Sequence, residues 1–126
     1  MAIDRSKPEI EFPGDAPPTD LVAVDDIVGD GTEAAAGHTV LAHYVGVAHS
    51  TGEEFDASWN RGEPLSFKLG AGQVIAGWDQ GITGMRVGGR RTITIPPHLG
   101  YGERGAGAKI KGGETLIFVV DLVEVS

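Results

Sequence analysis

The chain has 126 residues, a formal net charge of −8, twenty glycines and no cysteine. A chain of this length predicts one domain with its own hydrophobic core, and the lack of cysteine excludes disulfides, thiolate metal sites and a cysteine nucleophile. The N-terminal residues contain no apolar run typical of a signal peptide, and no stretch reaches the ~18 apolar residues of a membrane helix. We therefore expect a cytoplasmic protein without a membrane partner, and a monomer because no interface stands out.

Acidic side chains are concentrated near the N-terminus. Residues 1–37 hold nine of the 18 acidic residues but only two basic ones, whereas the remainder is almost neutral. We expect residues 1–20, with their four prolines, to form an extended acidic arm outside a single folded domain at residues 21–126. A solvated arm is the simpler interpretation, and a basic partner is the alternative. Nucleic acid is not expected as a partner because no basic face stands out.

Short β-branched runs between glycines predict a protein rich in strands. The first strand is expected at residues 21–24 and the second at residues 39–49. A third strand begins at residues 54–56, is interrupted by a polar loop or bulge, and resumes at residues 65–69 with period-two alternation.

Between residues 72 and 84 the apolar spacing changes to three and four, at Val74, Ile75, Trp78 and Ile82. This spacing predicts one short helix. Glycines at positions 77, 81 and 84 make it a poor independent helix, since each costs up to ~1 kcal/mol relative to alanine. We therefore expect a sheet to wrap around it.

Two further strands are expected at residues 90–95 and 115–125, separated by a long glycine-rich loop at residues 98–114. Many strands with one short helix indicate an α+β domain with a largely antiparallel sheet.

Formal matches to nucleotide and metal motifs fail on their context. The GxGxxG at residues 100–105 is followed by a segment that cannot open a helix well, and the GxxxxG at residues 72–77 lacks the lysine of a phosphate loop. The segment at residues 26–31 lacks the second ligand position and the closing glutamate of a calcium loop, and the four histidines show no metal-ligand spacing. We therefore expect neither a cofactor nor a metal.

Several segments, in order and spacing, carry a more specific signal. They are VLAHYVG at residues 40–46, Phe55-Asp56, QVIAGWDQGITGMRV at residues 73–87, Ile95-Pro96, Tyr101-Gly102 and TLIF at residues 115–118. Together they resemble the FKBP-type peptidyl-prolyl cis-trans isomerases over about residues 21–125. The resemblance implies a five-stranded antiparallel sheet curled around one short helix, and an isomerase that accelerates X–Pro rotation in flexible or unfolded chains without a cofactor.

The resemblance also implies roles for individual residues. Trp78 would form the floor of a proline pocket, Tyr101 and the Ile75 N–H would donate hydrogen bonds to the substrate, and Asp56 would lie at the rim near Tyr44 and Arg61. The implied catalytic residues are Tyr44, Phe55, Asp56, Trp78, Tyr101 and Phe118. The implied contacts to a prolyl peptide or a tacrolimus- or rapamycin-type macrolide are Leu65, Phe67, Val74, Ile75 and Ile110.

Some positions depart from the family pattern. Leu65 stands where an aromatic residue is common, and the loop at residues 103–113 carries Lys109 and Lys111 in place of the usual prolines and histidine. These departures leave two alternatives open: a module that binds prolyl segments or macrolides with little turnover, and a structural domain with a collapsed pocket. Trp59 is either a flank of the pocket or an exposed loop aromatic.

Overall fold

A computed structural model describes residues 7, 8, 10 and 16–126. The elements in chain order are β1 (Val22–Ile27), β2 (Thr39–Ala48), β3 (Glu54–Ala57), β4 (Leu65–Lys68), α1 (Ala76–Ile82), β5 (Arg90–Ile95) and β6 (Leu116–Val125). Most of the expected arm lies outside the described residues, so its extended conformation stays a prediction.

All pairings between these strands are antiparallel, and the sheet order is β1-β5-β6-β2-β3. β4 also pairs with β2, at the end opposite to β3. The expected α+β fold, an antiparallel sheet around one short helix, is confirmed. The count of five strands is corrected to six, because a 3₁₀ turn at Ser58–Asn60 takes the chain out of the sheet between β3 and β4.

The boundaries of β1 and α1 differ from those expected. β1 continues past Val24 because two acidic residues are paired across to β5: Asp25 with Arg91 at 2.7 Å and Asp26 with Thr92 at 2.6 Å. α1 is only seven residues long, since Ile75 is still extended with ψ 150°. The pattern of apolar residues did not show either boundary, because β1 contains acidic residues and glycines precede α1.

The main core lies between the helix and the side of the sheet that faces it. Trp78 and Ile82 of α1 pack there with alternate residues of β2, β5 and β6. The glycines of α1 permit this close packing: a Cβ at Gly77 would lie 2.5 Å from the Ile95 side chain, and one at Gly81 would lie 2.8 Å from Ile93. The packing therefore compensates for the poor intrinsic helix propensity of this segment.

The opposite side of the sheet, here called the outer face, carries a second and smaller cluster. Val45, Ala57 and Val119 are buried there, with Ile10 and Trp59 packed against them. Within the described part of the chain, no helix has the length and apolar character needed to span a membrane.

Candidate functional site

A cavity of about 610 Å³ opens between α1, the sheet and the loop that follows β5. Its volume lies in the range of small-molecule sites. Ten of the eleven expected site residues line it, and Gln73 lines it as well. The cavity therefore brings together side chains from β2, β3, β4, β6, α1 and two loops.

Trp78 occupies the helix side of the cavity and is 4% exposed. Its indole meets the Tyr44 ring edge-on at 4.7 Å and the Phe118 ring edge-on at 5.1 Å. Such edge-to-face pairs each add about 0.5–1.5 kcal/mol beyond the apolar area they bury. The indole is thus held rigidly while it still borders open space.

Phe67 is the expected site residue that does not line the cavity. It lies behind the indole, 5.6 Å from the Trp78 ring, and is 5% exposed. Residues two apart on a strand share a face, so Leu65 and Phe67 of β4 both face inward. Leu65 lines the cavity, whereas Phe67 packs in the core beside it. Phe67 thus supports the indole from the rear.

The rest of the cavity wall, apart from its polar edge, is aromatic and aliphatic. Phe55 of β3 packs edge-on against Phe118 at 5.4 Å. Val74 and Ile75 lead into α1, and Ile110 comes from the loop before β6 and is buried. The lining of this part of the cavity is therefore largely apolar.

Three side chains, here called the polar corner, form a closed set of hydrogen bonds at one edge. The Tyr44 hydroxyl donates to Asp56 Oδ2 at 2.5 Å, Arg61 Nη1 donates to Asp56 Oδ1 at 2.9 Å, and Arg61 Nη2 donates to the Tyr44 hydroxyl at 2.8 Å. Burial opposes ionisation of Asp56, but the hydrogen bonds from Tyr44 and Arg61 outweigh it and hold its pKa below the ordinary 3.8. Asp56 is therefore an ionised hydrogen-bond acceptor at neutral pH.

Tyr101 lies at the cavity mouth and is 39% exposed. Burial, followed by the nearby charge of Asp56, raises the pKa of its phenol above the ordinary 10.0. The hydroxyl consequently stays protonated across the physiological range and can donate a hydrogen bond to a group in the cavity. No group of three or more metal-binding side chains occurs among the described residues.

The geometry of the cavity agrees with the comparison to protein families. Residues 31–123 match the family described as FKBP-type peptidyl-prolyl cis-trans isomerase. The chain belongs to the FKBP family. The proline-isomerase function expected from the sequence is confirmed at this level.

Two bacterial relatives cover nearly the whole of this FKBP chain. An FK506-binding protein of Streptomyces anulatus is 69% identical over 120 residues, covering 94% of this chain and 97% of the relative. A probable FK506-binding protein of Corynebacterium glutamicum is 53% identical over 117 residues, covering 93% and 97%. Among solved structures, the crystal structure of AtFKBP13 superposes with a TM-score of 0.78 at 44% identity, covering 87% of this chain and 96% of that chain.

Gln73 lines the cavity of this FKBP domain although it is not among the site residues predicted from the sequence. Its Oε1 accepts a hydrogen bond from the Lys68 N–H at 2.8 Å, which holds the residue beside the cavity. The turn before it is held by Asp79, whose carboxylate accepts from the N–H groups of Gly70 and Gly72. Its position directly before Val74 and Ile75 was the available signal, but a polar residue in a glycine-rich turn is more often solvated.

Proposed function

We propose that the cavity receives the proline ring of a peptide against the Trp78 indole and stabilises the twisted X–Pro bond. One observation carries this proposal: a cavity lined mainly by aromatic and aliphatic side chains borders the packed Trp78 indole, and the charged residue of its lining, Asp56, belongs to the polar corner. A proline ring is apolar and compact, and the peptide carbonyl groups on either side of it remain available to donors at the rim. The lining thus suits a prolyl segment better than a charged ligand.

The reaction requires neither acid, base nor metal. Rotation about an X–Pro bond breaks amide resonance and passes a barrier of about 18–20 kcal/mol. A water-poor cavity with fixed dipoles favours the twisted amide, whose charge is less delocalised than that of the planar amide. Lowering the barrier by about 5–6 kcal/mol accelerates rotation roughly 10⁴-fold.

Two donors are suited to hold the substrate while the bond turns. The Tyr101 hydroxyl remains protonated because its pKa is raised. The Ile75 N–H, at the start of α1, donates to no acceptor among the described residues. We assign these two groups to substrate carbonyls and assign Asp56, kept ionised by Tyr44 and Arg61, to the environment of the rotating carbonyl.

The same cavity is proposed to bind tacrolimus-type macrolides. Two relatives that cover this chain almost completely are named FK506-binding proteins. The proposed natural substrates are proline-containing peptides and unfolded proteins. A monomeric state and a cytoplasmic location remain predictions of the sequence, to be checked by sedimentation of the purified chain and by fractionation of cells.

The test is magnetisation-exchange NMR on a short Ala–Pro peptide. We expect a small fraction of enzyme to accelerate cis–trans exchange, and tacrolimus to abolish the acceleration. Tyr101→Phe, which removes only the hydroxyl, should lower kcat/KM about tenfold if that hydroxyl contributes roughly 1–1.5 kcal/mol in the transition state. No acceleration at stoichiometric enzyme would reject catalysis, and tacrolimus binding without acceleration would favour a binding module.

A further inference from the structure

Lys7 is distant along the chain from the residues that line the cavity, but it contacts the segment that forms one edge of the cavity. Its ammonium group is 2.6 Å from Glu54 Oε1 and donates to Asn60 Oδ1 at 3.0 Å. The Asn60 amide in turn donates to Glu54 Oε2 at 3.0 Å. Lys7 therefore joins the start of β3 to the 3₁₀ turn that follows it.

The two residues held by Lys7 each precede a residue of the site. Glu54 is followed by Phe55, which lines the cavity, and Asn60 is followed by Arg61 of the polar corner. A displacement of either backbone unit is transmitted through one peptide bond to a side chain at the cavity. The Lys7 contact thus fixes the spacing between the two ends of the segment that presents Asp56 and Arg61.

Two further contacts keep this segment against the sheet. Trp59, within the 3₁₀ turn, stacks on His43 of β2 with ring centroids 4.1 Å apart. Ile10, three residues after Lys7, packs with Trp59 on the cluster of the outer face. The contact of Lys7 with Glu54 and Asn60 is therefore supported by apolar packing of nearby residues as well as by charge.

Glu54 also reaches the loop on the other side of the cavity. Its backbone carbonyl accepts a hydrogen bond from Lys109 Nζ at 3.2 Å, and the next residue along the loop, Ile110, lines the cavity. Lys7 is the foremost cause that lowers the pKa of Glu54 below its ordinary 4.5. Glu54 is accordingly ionised at neutral pH and links the N-terminal contact, β3 and the loop.

We infer that Lys7 is a positioning residue for catalysis, which holds Glu54 and Asn60 in place. These two residues in turn fix Phe55 and Asp56, which line the cavity, and Arg61, which holds Asp56. This inference rests on the proposed function of the cavity. It assigns Lys7 a part in the isomerase reaction although this residue does not line the cavity. Lys7 acts through other residues and does not touch the substrate.

The first test compares Lys7→Met with Arg86→Met in the full chain. Arg86 makes an exposed ion pair with Glu33 at 3.7 Å and does not line the cavity, so it controls for loss of a surface ion pair. We expect Lys7→Met to lower kcat/KM for an Ala–Pro peptide about two- to fivefold, a range consistent with exposed ion pairs, and Arg86→Met to leave it unchanged. Lys7→Arg should keep most of the wild-type activity, because a guanidinium can donate to both oxygen partners of Lys7.

A structural readout separates positioning from general destabilisation. In ¹H–¹⁵N spectra, Lys7→Met should shift the amide signals of Phe55, Asp56 and Arg61 while those of β5 stay in place. A double-mutant cycle with Glu54→Gln provides a second test. The double variant should be no less active than the less active of the two single variants, because both substitutions remove the same interaction between Lys7 and Glu54.

The outcomes distinguish this inference from the proposed function. A wild-type chain without isomerase activity would contradict the proposed function itself. An active wild-type chain that Lys7→Met leaves unchanged, or that Lys7→Met and Arg86→Met weaken equally, would overturn the positioning role. Additive losses in the double-mutant cycle would overturn it as well.

Discussion

The two faces of the sheet are both apolar, but they are closed differently. On the helix side, the seven-residue α1 covers only part of the sheet and leaves a cavity of about 610 Å³ beside Trp78. On the outer face, Ile10 and Trp59 pack directly on Val45, Ala57 and Val119. The cavity therefore lies where the short helix leaves part of the sheet uncovered, and not where side chains pack directly on the sheet.

The chain has two tryptophans, one on each face, and their truncation is the strongest test of the comparison. Trp78→Ala should lower the free energy of unfolding by about 3–5 kcal/mol, the usual range for a buried aromatic, and should abolish isomerase activity. Trp59→Ala should cost less, since Trp59 is only half-buried. Urea unfolding and the exchange assay measure both, and equal losses from the two variants would erase the distinction between the faces.

A methyl group added at Gly46 would narrow the cavity from the side of the sheet and leave the outer face unchanged. A Cβ there would lie 2.6 Å from Phe118 Cε1 and 2.7 Å from Phe55 Cζ, so both rings must move. Overpacking of this kind costs about 1–3 kcal/mol, and we expect Gly46→Ala to reduce kcat/KM about tenfold as the rings enter the cavity. Gly37→Ala serves as a control in open space, where a positive φ of 94° strains alanine at a position away from the cavity lining. Unchanged turnover in Gly46→Ala would show that the two rings do not shape the substrate site.

The pH dependence should be the smallest effect, and it should differ between the faces. The pKa of Asp56 lies below its ordinary 3.8 and that of Tyr101 above 10.0, so kcat/KM should be constant between about pH 5 and pH 9. On the outer face, burial lowers the pKa of His43 below its ordinary 6.5, although the charge of Asp121 opposes the shift. Protonation of His43 thus favours the unfolded chain.

The sign for His43 follows from proton linkage. At pH values between the folded and unfolded pKa of His43, the unfolded chain binds more protons than the folded chain. The contribution of His43 to the free energy of unfolding therefore falls as the pH drops through about 6.5. This part of the fall should disappear in His43→Gln, while kcat/KM keeps its flat profile. Urea unfolding at several pH values measures the first expectation. A catalytic optimum near neutral pH, lost in His43→Gln, would contradict the separation of stability from activity.

Sequence patterns predicted the helix side of the molecule better than the outer face. Alternation in residues 115–125 and the three- and four-residue spacing around Trp78 are local signals of a strand and a helix. Both elements formed within the expected segments, although α1 is shorter than the segment that predicted it. The residues lining the cavity came from resemblance to a family, since no local pattern distinguishes Phe118 beside a cavity from Phe67 behind the indole.

Contacts on the outer face left almost no trace in the sequence. Lys7 meets Glu54 and Asn60 across about fifty residues, and a single lysine in an acidic segment has no periodicity. The split between β3 and β4 was anticipated only as an interruption, because the turn at Ser58–Asn60 is held by long-range contacts such as the stacking of Trp59 on His43. Side-chain partners distant along the chain are decided by packing and not by local preference.

The two indole N–H signals offer the most direct test of where the substrate binds. In a ¹H–¹⁵N titration with an Ala–Pro peptide, we expect the Trp78 indole signal to shift in a saturable way and the Trp59 signal to remain in place. Tacrolimus should displace the peptide and shift the same signal. A saturable shift confined to Trp59, or peptide binding that leaves Trp78 unaffected, would contradict a prolyl site on the helix side of the sheet.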